Sequence, residues 1–98
     1  MAIEYRIKLQ ARTASGFDTF GEFFIGNDRQ AAKDLFNTLK GSPDELEEAL
    51  LLMELVEIDR NLPLDIQILH CTLDEMAYNC RLITKDQFKI LNLKVLGP

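Results

Sequence analysis

From Ile3 to Arg12 the chain reads IEYRIKLQAR, and apolar and polar side chains alternate without a break. Ile3, Tyr5, Ile7, Leu9 and Ala11 share one side, while Glu4, Arg6, Lys8, Gln10 and Arg12 share the other. Successive strand residues point to opposite faces, so this period of two predicts a half-buried strand. Thr13-Ala14-Ser15-Gly16 is turn chemistry, and Phe20–Ile25 then reads as the partner strand of a hairpin. Both parities of that second run are apolar, Phe20/Phe24 as well as Phe23/Ile25, which predicts cover on both faces.

The period then changes. Ala31, Ala32, Leu35, Phe36 and Leu39 fall at helical spacing, with Asp28 placed to cap the start and Gly41 the end. Ser42-Pro43-Asp44-Glu45 is a second helix-start signal. The next stretch, LEEALLLMELVEID, fits one long helix or a short helix giving way to a strand near Leu50. The alternation of Val56/Ile58 with Glu57/Asp59 favours the strand. Arg60-Asn61-Leu62-Pro63 can turn the chain, and residues 64–71 (LDIQILHC) alternate again, which predicts a second hairpin. Thr72-Leu73-Asp74-Glu75 and Thr84-Lys85-Asp86-Gln87 each match the capping box and predict two closing helices. The first would seat Leu73, Met76, Ala77 and Cys80, and the second Phe88, Leu91 and Ile90. The expected order is ββα(α)ββαα: one α+β domain over 1–98, an antiparallel sheet of two hairpins with helices mainly on one face.

Composition narrows the function classes more than it names one. The 98 residues carry 47% hydrophobic and 28% charged side chains, ordinary for a globular chain. Met1-Ala2-Ile3 runs directly into Glu4, Arg6 and Lys8, without the apolar core of a secretory leader. No apolar run approaches the roughly 20 residues of a membrane span. These features, with two cysteines, lead us to expect a cytoplasmic protein with reduced thiols and no membrane partner. The net charge of −5 disfavours nucleic acid as a partner. Its acids cluster, since every charged residue from Asp44 to Asp59 is acidic. That stretch lacks the spacing of a calcium loop, and we expect it to be solvated or paired across strands.

Three places hold candidate chemistry. His70, Cys71 and Cys80 gather the only histidine and both thiols within eleven positions, HCTLDEMAYNC. Such residues could serve a metal- or thiol-dependent enzyme. On a strand, however, His70 and Cys71 point to opposite faces, and Cys80 lies a helix away, too far for a disulfide on this reading. The second place is the outer face of the first hairpin. If Phe20 and Phe24 face the core, Phe23 and Ile25 stand beside Arg6, Lys8 and Arg12, as a protein contact or a platform for single-stranded nucleic acid. The third is the apolar tail of Leu93, Val95 and Leu96. The loop Gly26-Asn27-Asp28 could offer amides to a phosphate, but Asp28 would occupy that position itself.

The segments GNDRQAAKDLFNTLKG and HCTLDEMAYNCRLITKDQFKILNL resemble parts of small uncharacterised bacterial α+β proteins. The similarity covers most of the chain, and its motifs are caps and core positions. It implies no activity, no cofactor and no site residues. The resulting expectation is a non-catalytic protein that works by contact with itself or another protein, through Arg6, Lys8, Arg12, Phe23 and Ile25 or through Leu93, Val95 and Leu96. The alternatives are the enzyme on His70, Cys71 and Cys80, and nucleic-acid binding on the first hairpin.

Overall fold

The computed structural model describes residues 3–45 and 49–96, with side chains as far as Phe88. Six elements succeed one another: β1 (Ile3–Thr13), β2 (Gly16–Phe24), α1 (Arg29–Asn37), β3 (Leu51–Asp59), β4 (Leu62–Cys71) and α2 (Leu73–Leu96). The four strands form one antiparallel sheet in the order β2-β1-β3-β4, two hairpins joined through β1 and β3. This is the expected α+β architecture.

One face of the sheet carries the core. Tyr5, Ile7 and Leu9 of β1 lie beside Met53 and Leu55 of β3, and Ala32 and Phe36 of α1 and Met76 and Ile83 of α2 close over them. Asp28 caps α1 as expected, its carboxylate accepting from the Ala31 N–H at 3.2 Å. Gly41 does not end α1; Thr38 does, its N–H returning to the Leu35 carbonyl. Gly41 instead passes against β4 with φ +154°, where a Cβ would stand 3.0 Å from the His70 carbonyl oxygen. The second helix-start signal is spent otherwise as well. Ser42 pairs its backbone with His70 at the edge of β4, and its hydroxyl accepts from the Asp44 N–H. Residues 46–48, inside that expected helix, lie outside the described residues.

Three local features depart from the alternation. The second hairpin turns on Arg60 and Asn61 alone, at φ 55° and 66°, so β4 begins at Leu62 and takes in Pro63 on its edge. Two successive left-handed residues match the twist of the flanking strands. β2 has an extra residue at Phe20, opposite the step from Leu9 to Gln10, and β4 has one at Ile66, opposite the step from Leu55 to Val56. Such bulges sharpen the local twist. Third, α2 is a single helix through the second capping-box match, because the Thr84 hydroxyl donates back to the Cys80 carbonyl at 2.7 Å. The side chains it seats are Met76, Asn79 and Ile83, with Cys80 and Leu82 half-buried, whereas Leu73 and Ala77 are exposed. Leu73, Ala77 and Phe88 therefore correct the expected inner faces; Ile90 and Leu91 lie beyond the described side chains.

Candidate functional site

His70 and Cys71 diverge as a strand requires. Cys71 is fully buried on the core face, where its thiol donates to the Lys40 carbonyl at 3.4 Å. Burial pushes that thiol up to about 11, with the Glu75 carboxylate adding to the effect. Cys80 sits half-buried on α2, and burial raises its thiol too. Both are free thiols held in the protonated, unreactive form at neutral pH. His70 lies on the other face of the sheet, in register with Leu52, with its ring edge-on to Phe17 at 6.4 Å between centroids. Among the described residues no three His, Cys, Asp or Glu side chains come together as a metal site. His70 thus stands on the opposite face from the two thiols, while Cys80 is near enough to Cys71 to add to the rise of its thiol.

The outer face is more informative. Phe17 and His70 belong to opposite edge strands, separated by three inter-strand spacings or about 14 Å. Their contact means that the sheet coils, drawing its edges together over the outer face. The row Gln10–Leu52–His70 lies beneath them, and Leu52 is buried although it points away from the helices. Arg12 rests over the Phe17 ring at 5.4 Å to the centroid and pairs with Glu45 at 2.7 Å. This end of the outer face is therefore sealed.

The other end is open at its β2 edge, where Phe24 is exposed, although Val56 in the middle of the row is fully buried. Arg6 and Phe24 are opposed in register, with Val56 and then Asp65 continuing the row across β3 and β4. The assignment of Phe23 and Ile25 to this face is corrected. Phe23 pairs with Ile7 and packs on the core, and Ile25 is buried beside Tyr5. It is Phe24 that stands on the Arg6 side, 58% exposed, while the bulge leaves Phe20 59% exposed on the β2 edge. Two apolar parities gave no basis for choosing the inner one; the pairing with β1 chose it.

The cations of this face are engaged. Arg6 holds Glu22 at 2.6 Å and Glu4 at 3.1 Å, and Lys8 stands in register between Glu22 and Glu54. Glu54 also accepts from Gln10, and it faces the Asp65 carboxyl. Burial first, and then the hydrogen bond and charge of Asp65, raise Glu54 above the ordinary carboxylate range. On the core side Tyr5 donates to Glu57 at 2.6 Å, with Arg29 3.5 Å from the same oxygen. Burial and that bond raise the Tyr5 hydroxyl. The cross-strand ion pairs expected for Glu54, Glu57 and Asp59 are replaced by other partners. Glu57 takes Tyr5 and Arg29 of α1, Asp59 lies 4.0 Å from its neighbour Arg60, and Glu54 takes Gln10 with Lys8 in register. Glu47 and Glu48 lie outside the described residues.

Two features escaped the sequence reading. Asn79 is fully buried and clamps Lys40: its amide donates to the Lys40 carbonyl at 2.7 Å, and its oxygen accepts from the Lys40 N–H at 2.8 Å. Its place on the stripe Met76–Asn79–Ile83 was the available signal. The other is a cleft of about 620 Å³ between α1 and α2, lined by Ala31, Asp34, Leu35, Thr38, Leu82, Lys85 and Asp86. Only the packing angle of two helices distant in sequence creates it. Leu93, Val95 and Leu96 fall in the last turns of α2, where side chains lie outside the described residues.

Fold and surface together define a class: a small two-layer α+β protein with a coiled antiparallel sheet and one open, aromatic sheet end. No family model matches the chain, and neither a curated protein nor a solved structure matches it. Among the described residues no helix is long and apolar enough to cross a membrane.

Proposed function

We propose that this is a non-catalytic cytoplasmic protein that acts by binding another protein through the open end of its outer sheet face. The observation that carries the reading is Phe24, a large aromatic 58% exposed on a sheet face, beside an ion-paired Arg6 and near Phe20. An exposed aromatic with a neighbouring guanidinium is the composition that protein interfaces favour at their centres. The ion pairs of Arg6 and Arg12 weigh against nucleic acid, because a phosphate would compete with carboxylates already in place. Two thiols held protonated suit a reducing compartment and weigh against thiol chemistry. A photo-crosslinking residue at Phe24, expressed in living cells, tests the reading. One adduct of defined mass is expected, absent when the same residue replaces the exposed Asp74, which lies off both the outer face and the cleft. Equal labelling at both positions rejects it.

A further inference from the structure

We propose that the trough between α1 and α2 binds a nucleoside monophosphate whose base carries an exocyclic amine. This goes beyond the outer-face reading and does not depend on it. The distribution of charge points to the site. Arg6, Arg12, Arg29 and Arg60 each pair with a carboxylate, and Arg81 alone among the arginines has no such pair. Lys85, one turn further along α2, has none either. Lys40 reaches across from the end of α1, its Nζ 4.2 Å from the centre of the Tyr78 ring. A pocket of about 200 Å³ lies here, lined by Tyr78, Arg81, Leu82 and Lys85. In a chain of net charge −5, cations thus gather at one place without a described carboxylate in ion-pair contact.

This pocket shares Leu82 and Lys85 with the larger cleft, so the two form one continuous trough. Its chemistry is graded along its length. Lys40 meets Tyr78 and Asn79, while Ala31 to Thr38 stand opposite Leu82 to Asp86, so the two helices run antiparallel. The cations therefore mark the Tyr78 end, and Leu35 and Leu82 line the middle. Asp34 and Asp86 mark the far end, with Asp86 about 12 Å from Tyr78 along the helix axis. Those two carboxylates accept from the amides of Gln30 and Gln87 and hold no cation among the described residues. A ligand that satisfies every part has an anion at one end, a flat apolar body, and N–H donors at the other. A phosphate monoester suits the cationic end, because it brings nearly two negative charges at neutral pH. A base fits between the leucines, and its amine donates to the carboxylates, the acceptors that such an amine takes. The acids also repel a phosphate, which fixes the direction in which the ligand lies.

Titration calorimetry and amide NMR spectra of the full chain with adenosine monophosphate test the site. A dissociation constant of about 100 μM is expected, with shifts centred on the residues that line the trough. Inosine monophosphate, in which a carbonyl replaces the amine, is expected to bind about tenfold more weakly, because that oxygen faces carboxylates. Adenosine alone and inorganic phosphate alone are each expected to bind about 30-fold more weakly than the nucleotide. Arg81→Gln and Lys85→Gln remove exposed cations, and each is expected to weaken the nucleotide about tenfold with an unchanged circular dichroism melt. Asp34→Asn combined with Asp86→Asn erases the preference for adenosine over inosine monophosphate. Phe24→Asp, on the outer face, changes none of these values. No binding at about 5 mM adenosine monophosphate overturns the proposal. So does inorganic phosphate that binds as tightly as the nucleotide, equal affinity for the two nucleotides in the wild type, or shifts centred on the outer sheet face.

Discussion

Asn79 and Gly41 act on the same short connection from opposite sides. The segment after α1 must pass close to β4, and Lys40 presents both backbone groups to the buried Asn79 amide as it does so. Asn79→Ala orphans that N–H and leaves the carbonyl only the weak Cys71 thiol donor, so a loss of about 1–3 kcal/mol is expected in urea titration. Gly41→Ala meets the same connection sterically. Its Cβ would press on the His70 carbonyl oxygen at 3.0 Å and on the Cys71 sulfur at 3.1 Å, from a left-handed backbone position. Overpacking and strain together are expected to cost about 2–4 kcal/mol, measured the same way. In the sequence Gly41 reads as a helix stop and Asn79 as one more polar helix residue. Their roles come from neighbours about 30 and 40 positions away.

At the scale of elements, the hairpins show where local pattern suffices and where it fails. The β3–β4 turn puts Arg60 and Asn61 in the left-handed region, which asparagine tolerates better than arginine and glycine better than either. Asn61→Gly is therefore expected to stabilise by about 0.5–1 kcal/mol, visible as a rise in Tm of several degrees. Between the same strands, Glu54 and Asp65 face each other on the outer sheet face. A carboxyl raised in the folded state favours folding while protonated, and that contribution fades as pH rises through its raised value. Asp65→Asn removes the opposing charge and keeps a hydrogen-bonding side chain. A gain of about 0.2–1 kcal/mol at pH 7 is expected, with a flatter stability profile as pH rises above the ordinary carboxylate range in denaturant titrations. No gain at pH 7 would show that the pair stays solvated. The bulges at Phe20 and Ile66 have no signature in the alternation, and they shift which side chains reach the open face.

For the whole molecule, the sealed core makes its thiols report on stability. Cys71, the last residue of edge strand β4, is fully buried in the core cluster, so its labelling by a small thiol reagent requires opening of the domain. Cys80, half-buried on α2, is expected to label faster in native protein, and denaturant should accelerate Cys71 by a factor that tracks global unfolding. Equal rates for the two thiols would mean that α2 leaves the sheet without global unfolding. The raised Cys71 thiol carries a sign as well. Its contribution to stability is full below about 9 and is lost as pH climbs towards about 11.

Alternation, helical spacing and caps are local properties, and they were enough for two hairpins, a capped α1, an α+β class and the divergence of His70 from Cys71. Each depends on residues within a few positions of one another, where period and propensity act directly. Strand order, the inner face of β2, the union of two expected helices into α2 and the cleft beside Leu82 were decided in three dimensions. With Phe20/Phe24 and Phe23/Ile25 equally apolar, only the register against Ile7 separates core from surface. A capping box likewise opens a helix only where the chain has not already arrived as one, and at Thr84 it had.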